Sequence, residues 1–192
     1  MKNAFALVAV AGMTAAAAAQ SINIDVANPT LNPGESTNVT LSASYPAGMY
    51  AVAGVATNFI SSVGSTGWSN LAILAPMDGP GTSAGAASGT GVDGIIAGQL
   101  NFPPARIYAD PSNPIAFWSA TYTAPAVVDE AFTVDLSTRT TRFDVYIARE
   151  SSVSESRLSG LREGAGAINV VPAPASLALL GLGGLAAARR RR

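Results

Sequence analysis

The side chains able to do chemistry in this chain are carboxylates, hydroxyls and guanidinium groups, because the sequence contains neither His nor Cys. Without imidazole or thiolate, the Ser-His-Asp and Cys-His nucleophiles are absent, as are the usual His and Cys zinc sites. No disulfide framework can form either. Among the carboxylates, Asp78, Asp93 and Asp110 stand in the loop-rich centre, where oxygen ligands suit Ca²⁺. Their spacing matches no EF-hand, solvated turn aspartates are the simpler reading, and no metal ligand is assigned. Glycoside hydrolysis needs two suitably separated acids. The adjacent pair Asp129-Glu130 reads instead as the cap of a strand turn, and no catalytic residue is assigned. Trp68, Tyr108, Trp118 and Tyr122 can stack on sugar rings, yet an aromatic content of 7% is ordinary and suits a core. Arg139, Arg142 and Arg149 form a modest basic strip, expected on solvated strand edges that discourage aggregation. Asn38-Val39-Thr40 fits a glycosylation sequon, but its place on an expected strand makes the match coincidental.

These residues need a scaffold, and the apolar pattern defines one. From Ser21 the sequence alternates, as in Ile22, Ile24, Val26 and again Val39, Leu41, Ala43, the period of half-buried strands. Further stretches follow at 50–60, 68–74, 94–102, 115–122, 132–136, 143–147 and 167–171. About nine short strands with no long amphipathic helix predict an all-β fold, a single antiparallel β-sandwich. The expected core is Ile24, Val39, Leu41, Val55, Phe59, Trp68, Phe117 or Trp118, Phe132, Val134, Phe143, Val145 and Ile168. Phe117 and Trp118 are neighbours, so only one is expected to face the core. Asn28 to Gly34 reads as a turn. Residues 76–91, rich in Pro, Gly, Ser and Ala, read as a long mobile loop, and 101–114, with four prolines, as a stiffer one. Residues 151–164 are expected to be a loop or one short helix.

The two ends of the chain are different. Met1-Lys2-Asn3 starts positive, residues 4–18 carry no charge, and Ala17 and Ala19 are the small residues signal peptidase accepts. Cleavage after Ala19 would make Gln20 the new N-terminus. At the other end, Pro172, Ala173 and Pro174 precede an apolar run over 175–188 and then Arg189, Arg190, Arg191 and Arg192. Pro174 suits a helix's first turn. The run is shorter than the roughly 20 residues of a comfortable membrane span, and the arginines should stay cytoplasmic by the positive-inside rule. The domain reading is therefore a signal-peptide helix at 1–19, a sandwich at 20–170 and a hydrophobic helical tail at 171–192. Setting aside Lys2 and the four terminal arginines leaves six basic residues against 12 acidic ones, a net charge of −6. That balance argues against a nucleic-acid partner.

The tail resembles the PEP-CTERM sorting signal: a Pro-Glu-Pro-like motif, a hydrophobic span and a basic cluster, here with Ala173 in place of the central Glu. That resemblance implies processing by an exosortase, a membrane-embedded protease, after an inner-membrane intermediate, with delivery to the outer envelope or extracellular matrix. The middle resembles cohesin-like and immunoglobulin-like bacterial sandwiches, on the opening strand, Asn32-Pro33-Gly34-Glu35-Ser36 leading into Val39-Thr40-Leu41, and Ala131 to Leu136. The expectation is a non-enzymatic envelope or matrix protein without a cofactor. A secreted polysaccharide-binding module or weak glycoside hydrolase is the first alternative, and a surface adhesion module that binds another protein is the second.

Overall fold

The alternating segments fold into eleven strands in a computed structural model that describes residues 20–102 and 108–172. In chain order they are β1 (Ser21–Val26), β2 (Thr30–Leu31), β3 (Ser36–Ser44), β4 (Ala51–Ser61), β5 (Trp68–Ile73), β6 (Ser83–Ser88), β7 (Gly91–Gly98), β8 (Ile115–Thr123), β9 (Phe132–Tyr146), β10 (Ser154–Ser156) and β11 (Ala165–Val170). They form a four-stranded sheet, β1-β3-β8-β5, packed on a seven-stranded sheet, β2-β11-β9-β4-β7-β6, with β10 added along β9. All strand pairings are antiparallel except β2 with β11, so the larger sheet is mixed. No helix occurs among the described residues, and none there is long and apolar enough to cross a membrane. The expected helices at 1–19 and in the tail beyond Pro172 lie outside the described residues.

The strands differ from the expected nine for a physical reason at each place, one merger and three additions giving eleven. The stretches at 132–136 and 143–147 are one continuous strand, β9, whose apolar pattern fades because its middle inward positions are Thr138 and Thr140. Buried hydroxyls need partners, and Glu163 provides them. Its carboxylate accepts hydrogen bonds from both threonine hydroxyls at 2.8 Å and from the Thr140 amide at 2.7 Å. The 76–91 segment contains β6, an edge strand of Ser, Ala and Gly with no large side chain to mark it. The short β2 and β10 lie in the expected 28–34 turn and in 151–164, which holds no helix.

The core fills the space between the sheets. Val39, Leu41, Val55, Phe59, Val134, Phe143, Val145 and Ile168 are buried, whereas Ile24, Trp68 and Phe132 lie at its margin, partly covered. Both Phe117 and Trp118 are fully buried, against strict alternation. Leu41 pairs with Trp118 but Ser42 pairs with Ala116, leaving Phe117 as the extra residue of a β-bulge. A bulge shifts the phase of a strand, and both side chains thereby turn inward.

Phe59 of the larger sheet joins the two layers. Its ring meets Trp68 edge-on at 4.8 Å and Trp118 at 5.2 Å, and Trp68 meets Tyr122 at 5.1 Å. Behind Phe59 the backbone approaches so closely that a Cβ on Gly91 (φ +141°) would lie 2.2 Å from the Phe59 carbonyl oxygen. Only glycine fits such a contact.

Strand polarity gives the sandwich two distinct ends. Ser21 pairs with Ser44 and Ala51 with Tyr146, and Tyr45 bonds to Tyr50, which places Gln20 at one end. Ser36 pairs with Thr123 and Val170 with Phe132, which places the exit of β11 at the other.

Truncating Phe59 to Ala removes the ring common to these contacts and should cost about 3–5 kcal/mol, read as a lower urea midpoint with unchanged slope. Burial raises the hydroxyl pKa of Tyr45, Tyr122 and Tyr146 above the ordinary value. A raised folded-state pKa gives stability that is complete below the unfolded value of about 10 and is lost above it. Chemical denaturation from pH 8 to 11.5 should show unfolding free energy falling only beyond about pH 10.

Candidate functional site

A cleft of about 780 Å³ opens at the Gln20 end, between the turn after β5, the segment after β7 and the segment after β9. Its walls include Tyr50, Asp78, Gln99, Tyr108, Asp110 and Arg149. Beyond Gly98, where β7 ends, side-chain amides take over from the strand ladder. Gln99 donates to the carbonyls of Val52 (2.6 Å) and Asp110 (3.1 Å) and accepts from the Asp110 amide at 2.8 Å. Asn101 donates to the carbonyls of Arg149 and Ser151, both at 2.7 Å. Asn113 accepts from the Tyr45 amide and donates to the Tyr45 carbonyl, extending β3 and β8 beyond their last pair. Gln99 and Asn101 are nearly inaccessible, so these bonds are shielded from water.

Phenols pin the same wall. The Tyr50 hydroxyl donates to the Ala109 carbonyl at 3.0 Å. The single proton of Tyr45 lies between the carbonyls of Pro111 (2.6 Å) and Tyr50 (2.9 Å). Ala109 packs on the outer face of the larger sheet where β4 starts and β9 ends, and Ala51, Ala53, Ala109 and Tyr146 form a second, small apolar cluster there. This explains why both faces of those strand ends are buried.

The charged groups of the cleft differ in how far they are committed. Asp110 accepts from the Ser112 hydroxyl at 2.6 Å and the Ser112 amide at 2.8 Å through one oxygen, and these bonds hold its carboxyl below the ordinary range. The Arg149 guanidinium lies over the Tyr108 ring, 4.1 Å from its centre, a cation–π contact. Among the described residues neither Asp78 nor the Arg149 guanidinium takes part in a side-chain hydrogen bond or ion pair.

The structure thus brings together Asp78, Asp110, Tyr108 and Arg149, four residues singled out separately in the sequence. Asp93 lies on β7 and is not part of the cleft. Among the described residues no group of three or more acidic side chains could hold a metal ion. Trp118 and Tyr122 belong to the core and Trp68 to its margin. Asp129 and Glu130 are exposed just before β9. Arg139 and Arg142 lie on β9 between the stretches that pair with β11 and with β10, and Arg142 pairs with Asp144 on the same strand. Tyr50, Gln99 and Leu100 were not singled out; a glutamine and an asparagine ahead of a proline-rich stretch are the one local signal for the wall. Gln20 is held to the sandwich by its side-chain amide on the Ser159 carbonyl. Pro172 follows the last strand, while Ala17, Ala19, Ala173, Pro174 and Arg189 to Arg192 lie outside the described residues.

Two packed sheets of this topology define a cohesin-like β-sandwich. A chain of a complex containing CaCohA2, a Clostridium acetobutylicum protein, superimposes with TM-score 0.50 at 11% identity, covering 79% of this chain and 99% of that one. The seventh ScaB type I cohesin from Pseudobacteroides cellulosolvens gives TM-score 0.51 at 11% identity, over 79% and 92%. At such identity the likeness concerns the fold alone. Residues 170–192 match the PEP-CTERM protein-sorting motif. The chain is an exported protein that carries this motif behind a cohesin-like sandwich. Comparison with curated proteins gives no match.

Replacing Ser112 by Ala removes the larger of the two bonds that depress Asp110. A depressed carboxyl contributes stability above its unfolded pKa and loses it as pH falls through the folded value. The variant should therefore show Asp110 titrating closer to about 3.9, followed by carboxyl carbon NMR, with the rest of the fold unchanged.

Proposed function

We propose that this protein is a non-enzymatic component of the cell envelope or extracellular matrix, exported by a signal peptide over 1–19 and processed at its C-terminal tail by an exosortase-like protease. The observation that carries the reading is the sorting motif at 170–192, which begins on the last residue of the last strand. Val171 still donates to the Leu31 carbonyl at 2.9 Å, and Pro172, having no N–H, ends the pairing. A cut near Pro174 would remove no strand residue, so the sandwich at 20–170 is a cargo that survives its own sorting. In the inner-membrane intermediate, Arg189 to Arg192 stay cytoplasmic and the sandwich stands on the exported side. The variant motif Pro172-Ala173-Pro174 requires a protease that tolerates Ala173.

A second reading, a surface module that binds another protein, draws support from the fold, since CaCohA2 is seen in a complex with CaDoc0917. Of the four aromatic residues expected to stack on sugars, Trp68, Trp118 and Tyr122 pack in or beside the core and Tyr108 alone lines the cleft, which weakens the glycosidase alternative.

Intact mass of the protein from membranes and from culture medium tests the sorting reading. The expected species begins at Gln20 and lacks everything beyond about Pro174. Joint replacement of Pro172 and Pro174 by Ala should leave a membrane-bound chain that keeps Arg192. Identical processing of this variant would sink the proposal.

A further inference from the structure

The loop-end cleft has polar capacity that the fold does not use. The Asp78 carboxylate, the second oxygen of Asp110 and the Arg149 guanidinium line it without side-chain partners among the described residues. Apolar surfaces of Tyr50, Pro76 and Pro111 stand beside them. A purely apolar ligand would bury these charges without compensation. A phosphate or other simple anion would meet two carboxylates, and the described residues offer too few acidic ligands for a metal ion.

A sugar has the complementary chemistry. Its hydroxyls donate to carboxylates, its ring and hydroxyl oxygens accept from a guanidinium, and its C–H faces lie against aromatic and proline rings. The volume falls within the roughly 300–1,000 Å³ of small-ligand sites. The wall is already fixed by Gln99, Asn101, Tyr45 and Tyr50 through bonds that no ligand has to form, and such preorganisation lowers the cost of binding.

We propose that the cleft bounded by Asp78, Asp110, Tyr108 and Arg149 is a saccharide-binding site that takes a short segment of a polysaccharide. β11 leaves the sandwich at the opposite end. On the sorting reading above, a tail-held chain therefore presents this cleft away from the membrane, toward surrounding polymer.

The test is a glycan array probed with the full chain in detergent, followed by calorimetry on any saccharide retained. Wild-type protein should retain at least one saccharide. Asp78→Asn and Arg149→Ala, both at exposed positions, should each weaken binding at least tenfold while the thermal unfolding midpoint stays unchanged. Absence of any saccharide on the wild-type protein overturns the proposal, as does equal binding by both variants or retention of peptides or Ca²⁺ alone. Tail processing of Asp78→Asn, followed by intact mass in cells, should match wild type, so a failure of the sorting reading is seen separately.

Discussion

The structure depends on one constraint: two sheets, each apolar on a single face, must meet through a small number of large rings. Phe59 is the meeting point. It reaches from β4 to Trp68 and Trp118 of the facing sheet, and both of its flanks require exceptions to regular strand geometry. On one side the bulge at Phe117 turns Trp118 inward, and on the other Gly91 lets the neighbouring strand approach the Phe59 carbonyl. The register of β3 on β8 and of β4 on β7 is therefore tied to the placement of a few aromatic side chains. Offset and edge-on ring contacts of this type contribute beyond their buried area, and here they also set which face of each strand is inside.

Where the sheets end, hydrogen bonding passes from backbone to side chains. Gln99, Asn101 and Asn113 each present an amide, the same donor and acceptor as a peptide group; Gln99 extends the pairing of β7 with β4 and Asn113 that of β8 with β3, while Asn101 ties the residues after β7 to those after β9. These bonds help hold Ala109 and Asp110 against the outside of the larger sheet, where Ala109 packs with Ala51, Ala53 and Tyr146. Fully satisfied, such a network fixes one arrangement, and the cleft owes its shape to it. Glu163 does the same for β9, where two threonines occupy inward positions.

The sorting motif and the sandwich meet at a point where the fold is complete. β11 is paired on both sides, with β9 and β2, and Val171 makes the last backbone bond before Pro172. Gln20 is tied down at the far end of the sandwich, through its own side chain and the bond from the Ile22 amide to the Arg162 carbonyl, so Gln20 and Pro172 are separated by the length of the strands.

Much of this was legible in the residues. Period-two alternation located β1, β3 and β11, whose residues alternate between a covered and a more open face, while β4, covered on both faces at its start, was marked by a nearly continuous apolar run. The absence of His and Cys excluded whole classes of chemistry, and the order of motif, apolar run and arginines identified the sorting signal. Alternation could not detect β6, whose side chains are too small to differ between faces, nor the middle of β9, whose inward threonines are paired by a residue more than twenty positions away. Nor could it place Phe117 and Trp118 together, since a bulge is a property of two paired strands rather than of one. The sequence by itself determined the class of fold, the sorting motif and the inventory of reactive groups, because these rest on local pattern and composition. Only the tertiary structure decided that Asp78, Tyr108, Asp110 and Arg149 share one cleft, because their convergence depends on strand register and on amide side chains that hold distant segments in contact.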